Sequence, residues 1–188
     1  ARDEIAAGPV PLPRAGVDDR PTITLLGEMF PADPMMIAAM IEPMGLGVGP
    51  TVPVREWREL YAALDCATVA AMHPFYTASL REFTAAGRSH VPSAPVGVEG
   101  SQEWLSAIAK ACNISTAKAD AARNAMLGAT RGALASAPVK GRITLSGYEG
   151  SELLVARLLV EAGADLKYVG TACPRTPQTQ ADAEWLSA

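Results

Sequence analysis

The sequence has no cluster of basic residues, no long hydrophobic run and few cysteines, and each absence excludes a class of protein. Lysine and arginine never stand next to each other, and 20 acidic side chains against 16 basic ones give a formal net charge of −4. Nucleic-acid binding needs clustered positive charge, so DNA and RNA are not expected partners. The apolar runs, such as Thr22–Leu26 and Cys66–Met72, are far shorter than the roughly 20 residues of a membrane helix, so no membrane span is expected.

The cysteines predict neither a disulfide framework nor a local metal site. Cys66, Cys112 and Cys173 are odd in number and lie far apart along the chain, without the close spacing of a CxxC motif. This usage fits a protein of the reducing cytoplasm. The chain opens at Ala1 without a basic start or an apolar signal core, so no export segment is expected.

Apolar residues are abundant, at 49% of the 188 residues. A chain of this length and composition can bury the core of one or two domains. Residues 1–21 contain Pro9, Pro11, Pro13 and Pro21 and show little periodicity, so we expect an extended lead-in there.

Residues 22–99 alternate short apolar runs with amphipathic stretches, which is typical of an α/β domain. Thr22–Leu26 predicts a strand. Asp33 is placed to cap the next helix, Pro34 suits its first position and Gly45 is placed to end it. One face of that helix is apolar, at Ile37, Met40, Ile41 and Met44.

The same alternation continues to residue 99. It predicts a strand at Leu46–Val48, a helix with Trp57, Leu60, Tyr61 and Leu64 in the core, a buried strand at Cys66–Met72, a helix capped by Thr77 with Leu80 and Phe83 buried and Gly87 at its end, and a weak strand at Val91–Val96. Apolar strands separated by helices indicate a Rossmann-like parallel sheet that is covered on both faces.

The rest of the chain predicts two further parts. Residues 100–138 predict a helical connector, with Trp104, Leu105, Ile108 and Cys112 on its first helix and an alanine-rich second helix. Residues 139–188 predict part of a second α/β domain, with strands at Arg142–Ser146 and Asp165–Val169 around a helix at Ser151–Ala162 that buries Leu154, Val155, Leu158 and Leu159. Two strands are too few for a covered sheet, so we expect the chain to be a fragment.

The turns after the predicted strands carry the candidate site residues. Ligands of open α/β sheets bind at the carboxyl ends of the strands. The four turns are Gly27-Glu28-Met29-Phe30, His73-Pro74-Phe75-Tyr76, Ser146-Gly147-Tyr148-Glu149 and Gly170-Thr171-Ala172-Cys173. Their aromatic rings, thioether, carboxylates, imidazole and thiol suit a large, flat, mostly apolar ligand in a pocket walled by these loops.

The candidates also have plainer interpretations. His73 either hydrogen-bonds the local backbone or contributes to the pocket. Glu28 and Glu149 are either solvated carboxylates at strand ends or proton donors. Cys66 and Cys112 are expected to be small buried side chains, whereas Cys173 follows a loop glycine and threonine where a thiolate can be exposed. A single cysteine does not hold an iron–sulfur cluster without partners from elsewhere. Trp185 is expected to be an exposed remnant of a missing contact.

Five blocks of the sequence carry a family resemblance. They are Leu26–Pro31, Arg55–Tyr61, Ala71–Thr77, Pro95–Gly100 and Gly170–Thr176. Together they resemble the Y subunits of chlorophyllide a reductase, which belong to the wider nitrogenase component 1 type. The likeness runs from about Pro21 to the end, and it implies the middle domain of the family, a helical connector and part of the third domain.

The resemblance implies an oxidoreductase of bacteriochlorophyll synthesis. With a Z subunit, the family reduces a ring-B carbon–carbon double bond of a chlorin, chlorophyllide. The electrons arrive from an ATP-hydrolysing iron–sulfur protein, the X protein, and pass through a 4Fe-4S cluster that Y and Z share. The family places the cluster cysteines of this subunit in an N-terminal domain outside this sequence, so no metal ligand is expected here and the chain alone is expected to be inactive.

One block departs from nitrogenase itself. Nitrogenase has a cysteine ligand of its metal cofactor directly after a histidine at a similar strand end, whereas this chain has His73-Pro74. Proline has no thiolate, so the cavity is expected to hold a tetrapyrrole. The superfamily geometry implies a lining of Met29, Phe30, His73, Phe75, Tyr76 and Tyr148, with Glu28, His73 and Glu149 as candidates for catalysis.

Two other functions stay open. One is the related dark-operative protochlorophyllide reductase, which differs in the pigment that it reduces. The other is a nitrogenase-like scaffold that carries a cofactor or pigment between proteins without turnover.

Overall fold

The computed structural model describes residues 20–28, 32–172 and 175–188. Most of the predicted lead-in, and the candidates Met29, Phe30 and Cys173, lie outside the described residues. The strands are β1 Thr22–Leu26, β2 Gly47–Val52, β3 Thr68–Ala71, β4 His90–Val91, β5 Arg142–Gly147 and β6 Asp165–Thr171. The α-helices are α1 Pro34–Ile41, α2 Glu59–Ala63, α3 Thr77–Ala85, α4 Val98–Ala111, α5 Thr116–Ser136, α6 Glu152–Glu161 and α7 Pro177–Trp185.

The first four strands form one parallel sheet in the order β2-β1-β3-β4. Side chains alternate between its faces. Ile23 and Leu25 belong to one apolar cluster, and Leu26, the next residue, belongs to the other. Helices cover both faces, which keeps the near-continuous apolar run of β1 away from water. The predicted α/β class with a parallel sheet is confirmed.

Helix α1 begins as the sequence predicts, but it ends at Ile41, and a 3₁₀ turn at Glu42–Met44 continues to Gly45. The Asp33 carboxylate accepts hydrogen bonds from the backbone N–H groups of Met35 (2.7 Å) and Met36 (3.3 Å), which satisfies donors that lack a partner within the helix. The predicted apolar face is buried. Gly45, with φ of +75°, ends the 3₁₀ turn that follows the helix.

The predicted helix around Trp57 is partly wrong. Helix α2 begins only at Glu59, so Trp57 lies in the preceding loop and is exposed. Tyr61 is half-buried, and Ala63 is the buried residue of the helix. Trp57 has the spacing of three and four residues that is expected of a helix face, although it lies in the loop before the helix.

Three other local predictions need correction. Thr77 is the first residue of α3 and does not cap it; its hydroxyl donates to the Pro74 carbonyl instead. Strand β2 extends to Val52, beyond the predicted Leu46–Val48. The predicted strand at Val91–Val96 is reduced to the two residues of β4.

Helices α4 and α5 follow the first sheet. The side chains of Trp104, Leu105 and Ile108 on α4 are fully buried in the same apolar cluster as Ile23. Cys66 is buried just before β3, and Cys112 is half-buried just after α4. The domain boundaries drawn from the sequence stay a prediction.

The second sheet contains β5 and β6 in parallel, with α6 between them in the chain. Leu154 is buried, but Val155, Leu158 and Leu159 are only half-buried, contrary to prediction. The described sheet has only the strands β5 and β6. A sheet of two strands covers less of α6 than the wider sheet of most α/β domains would. Unexpectedly, the charged residues Glu152 and Arg157 are buried. Within the described residues, no helix combines the length and hydrophobicity needed to cross a membrane.

Candidate functional site

The turns after β1, β3 and β5 lie in contact. A methyl group added at Gly27 would lie 2.5 Å from Cβ of His73 and 3.0 Å from the Tyr76 ring. One added at Gly150 would lie 3.0 Å from Cγ of Pro74 and 3.3 Å from Cε1 of His73. We call the surface formed by the turns at residues 27–28, 53–58, 73–76 and 148–151 the carboxyl edge. The predicted meeting of the turns after β1, β3 and β5 is confirmed; ligand binding there stays a prediction.

The turn after β6 joins the carboxyl edge through the β5 turn. The backbone N–H of Ala172 donates to the Gly147 carbonyl at 3.3 Å. The hydroxyl of Thr171 donates to the Glu152 carboxylate at 2.8 Å. All four turns singled out in the sequence therefore belong to one connected region.

His73 lies at the centre of an aromatic group on this edge. Its ring centroid is 5.0 Å from that of Phe75 and 5.9 Å from that of Tyr76. Nδ1 accepts the backbone N–H of Phe75 at 3.2 Å. A neutral imidazole that accepts at Nδ1 carries its proton on Nε2. His73 therefore bonds the local backbone, as the plainer interpretation holds, and still has an N–H donor on its other nitrogen.

Large apolar side chains are exposed on the same edge. Phe75 is 52% exposed and Tyr148 is 78% exposed. Trp57, in the loop after β2, and Met35 and Met36, in the first turn of α1, are also exposed. Phe75 and Tyr148 belong to turns that are in contact, and exposed apolar groups of this size in one region are typical of a binding surface. Phe75 and Tyr148 form an open surface and not the wall of an enclosed pocket, so the expected pocket needs a further surface placed against them.

Glu28 and Glu149 are both exposed, next to the glycines that contact the β3 turn. The backbone N–H of Glu149 donates to Oε1 of Glu152 at 2.7 Å, so the main chain of that turn is held while its own carboxylate faces solvent. Two exposed carboxylates and one imidazole therefore lie on the carboxyl edge, and their role as proton donors stays a prediction.

The sequence analysis missed Glu152, the buried carboxylate beneath this edge. It stands at the first position of α6, where an acidic residue is ordinarily solvated. Burial raises the pKa of its carboxyl group, but hydrogen bonds from Thr171 and from the backbone of residues 149, 150 and 152 outweigh burial, and the pKa is lowered overall. The only sequence signal for this buried carboxylate is the pair of glycines at 147 and 150, since they leave room for the Glu152 side chain to fold back against the β5 turn.

A second missed group surrounds Arg157 and joins three helices. Its guanidinium donates to Asp182 of α7 at 2.6 Å and to Glu103 of α4 at 3.4 Å. It also lies 4.8 Å from the ring centroid of Trp185. The Trp185 indole N–H donates to Glu99 at 2.7 Å. Trp185 is half-buried, so the prediction of an exposed remnant is wrong.

The described residues do not fit an iron–sulfur cluster. Burial raises the pKa of the Cys66 thiol, and burial together with nearby Cys66 raises the pKa of Cys112 to about 11. A 4Fe-4S cluster is held by four cysteine thiolates, and the described residues contain two cysteines, Cys66 and Cys112, which are buried and half-buried. Among the residues that the structure describes, no three His, Cys, Asp or Glu side chains are grouped to hold a metal ion.

Two cavities lie near these groups. One of about 20 Å³, with room for little more than a water molecule, lies under the carboxyl edge between Met72, Pro74 and Gly150. The other is an open groove of about 600 Å³ between α4, α5 and α6, bordered by Glu99, Arg131 and Glu161. None of the candidate site residues lines that groove.

Comparison with known proteins identifies the family. The family model "Nitrogenase component 1 type Oxidoreductase" matches residues 5–187. The chain is 65% identical over 188 residues to the chlorophyllide reductase 52.5 kDa chains of Rhodobacter capsulatus and Cereibacter sphaeroides. The match covers all of this chain and 38% of each of those proteins, so the chain spans well under half the length of these relatives.

A solved structure shares the fold. It is described as "Nitrogenase Cp1 at pH 5" and matches with a TM-score of 0.64 at 13% identity, over all of this chain and 42% of that one. At this identity the likeness concerns the fold alone, and it agrees with the parallel α/β architecture. Together with the family model and the two relatives, it leads to one conclusion: the chain belongs to the nitrogenase component 1 type oxidoreductases.

Proposed function

We propose that this chain forms part of the catalytic component of chlorophyllide a reductase, as a segment of its Y subunit. The reaction is the ATP-dependent two-electron reduction of the ring-B carbon–carbon double bond of a chlorin. The observation that carries the proposal is the exposure of Phe75 and Tyr148 beside His73 on the carboxyl edge. The 65% identity to two chlorophyllide reductase chains supports this choice of substrate.

The carboxyl edge suits one face of a tetrapyrrole. A chlorin is a flat and largely apolar ring, and covering apolar surface contributes about 25 cal/mol per Å². Phe75 and Tyr148 offer rings for stacking, and the Tyr76 ring lies edge-on to His73, with the two ring centroids 5.9 Å apart. Met29 and Phe30 are proposed to add to it, although they lie outside the described residues. The opposite face of the pigment is proposed to contact the partner Z subunit.

Saturating a carbon–carbon double bond consumes two electrons and two protons. His73, Glu28 and Glu149 are the proposed proton donors on this chain, and Nε2 of His73 is the donor whose proton the local hydrogen bond assigns. Among the described residues, no three His, Cys, Asp or Glu side chains are grouped to hold a metal ion. We propose that the electrons come from the ATP-hydrolysing X iron–sulfur protein, through a 4Fe-4S cluster held outside this chain.

Replacing His73 with alanine tests the role of the carboxyl edge. The variant is made in the complete protein, assembled with its partners, and ring-B reduction of chlorophyllide is followed by absorbance. We expect kcat to fall about 100-fold, the usual loss when a general acid is removed. His90 provides the control, since it is the other of the two histidines and stands exposed at the start of β4.

His90→Ala is expected to keep the wild-type rate. Equal rates for His73→Ala and the wild type would remove His73 from the mechanism. A wild-type complex that reduces protochlorophyllide but not chlorophyllide, or that binds chlorophyllide tightly without ATP-dependent turnover, would overturn the proposed function itself.

A further inference from the structure

Glu152 is a buried carboxylate with its hydrogen bonds supplied by three separate positions. It is 5% exposed. Oε1 accepts the Glu149 N–H at 2.7 Å, Oε2 accepts the Gly150 N–H at 3.1 Å, and Oε2 also accepts the Thr171 hydroxyl at 2.8 Å. A charge placed out of water needs such partners to persist. The side chain thus joins the β5 turn, the end of β6 and the start of α6.

The β5 turn is held between Glu152 and the β3 turn. On one side, a methyl group at Gly147 would lie 2.6 Å from Oε1 of Glu152, so the carboxylate packs directly on the strand end. On the other side Gly150, at φ +87°, lets the backbone reach Pro74 and His73. The turn therefore has a fixed position relative to the imidazole.

Tyr148 and Glu149 depend on this backbone anchor for their position. The Tyr148 side chain is 78% exposed and Glu149 is also exposed, so packing around the side chains does little to hold them. The two backbone N–H groups bonded to Glu152 belong to Glu149 and to the residue after it. Moving these groups would change the position of both side chains relative to the β3 turn, which Gly150 contacts.

The geometry points to Glu152 as a positioning residue, which holds the turn at residues 148–150 so that Tyr148 and Glu149 face a ligand beside His73. This inference rests on the proposed function for the identity of the ligand, chlorophyllide. Glu152 itself does not donate protons in it: the carboxylate is buried under the turn, and its hydrogen-bond donors favour the charged form.

The test compares Glu152→Gln with Glu161→Gln in the complete protein assembled with its partners. Glu161, at the other end of α6, also accepts backbone N–H groups, from Val98 and Glu99, and does not contact the carboxyl edge turns. Glutamine keeps one acceptor oxygen in place of two, so an N–H₂ group then faces either the backbone donors or the Thr171 hydroxyl. We expect Glu152→Gln to raise KM for chlorophyllide about tenfold, and Glu161→Gln to leave KM unchanged even where both lower Tm.

A milder variant guards against misfolding. Thr171→Val removes one donor to Glu152 and keeps the shape of the side chain, and we expect it to raise KM about threefold. Unchanged KM in both Thr171→Val and Glu152→Gln would overturn the inference, and so would an equal rise in KM in Glu152→Gln and Glu161→Gln, since that would show a general structural effect.

Hydrogen exchange separates this inference from the proposed function. The amides of Glu149 and Gly150 are expected to be protected in the wild type and to exchange at least tenfold faster in Glu152→Gln. If the wild-type complex does not reduce chlorophyllide, the proposed function is wrong, but the exchange result still supports the positioning role of Glu152. Unchanged exchange at both amides would overturn the positioning role whatever the complex reduces.

Discussion

Replacing Arg157 with methionine is expected to lower the free energy of unfolding by about 3–5 kcal/mol, the usual cost of leaving half of a buried ion pair. Arg157 is 3% exposed, and its guanidinium lies 2.6 Å from the Asp182 carboxylate. Methionine fills similar space but carries no charge, so Asp182 would stay buried without its partner. The contact with Trp185 would also lose its cationic member.

Urea denaturation of the complete protein, followed by tryptophan fluorescence, measures this effect. Arg123→Met is the matched control, because Arg123 pairs with Asp120 on α5 where both side chains are partly exposed. That pair is worth less than about 1 kcal/mol. A combined Arg157→Met and Asp182→Leu variant should recover most of the lost stability, since it removes both buried charges. Equal losses for Arg157→Met and Arg123→Met would show that the three-helix junction is not held by this pair.

Replacing Gly27 with alanine is expected to lower both stability and turnover. The residue has φ of +86°, where a side chain costs about 1–3 kcal/mol. The new methyl group would also lie 2.5 Å from Cβ of His73, and relieving such crowding costs about 1–3 kcal/mol more. Relief requires the β3 turn to move, and a displacement of about 1 Å at a reacting group can lower the rate about 100-fold.

Gly87→Ala separates the two causes. Gly87 has a similar φ of +77°, and no atom would lie within 4 Å of its added methyl group. It should show the backbone cost alone, with chlorophyllide reduction at the wild-type rate. Tm and kcat of the complete complex are measured for both variants. A Gly27→Ala complex as active as the Gly87→Ala complex would show that the contact with His73 has no bearing on catalysis.

Local signals were sufficient for much of the fold. Thr22–Leu26 is a strand, and Asp33 caps α1, because a run of apolar residues or a capping side chain acts on its near neighbours. Parallel pairing then follows from the alternation of strands and helices, and it brings the turns after β1 and β3 to one edge of the first sheet. The meeting of Gly27 with His73 was predictable in this sense from topology alone.

The charged interior was not predictable in the same way. Glu152 and Arg157 look like ordinary surface positions of an amphipathic helix, and their partners Thr171 and Asp182 lie 19 and 25 residues further along the chain. Burial of a charge depends on such distant partners, which no local pattern displays. The prediction for Trp57 was wrong for the opposite reason, since the helical spacing of apolar residues begins two residues before the helix itself.

The most direct test of the account is pigment binding by a Phe75→Ala and Tyr148→Ala double variant of the complete complex. Losing about 80 Å² of ring contact at about 25 cal/mol per Å² removes about 2 kcal/mol, which corresponds to about a thirtyfold rise in Kd for chlorophyllide. Val160→Ala, which trims exposed apolar surface near the opposite end of α6, should bind as the wild type does. Wild-type affinity in the double variant would contradict the claim that the carboxyl edge holds the pigment.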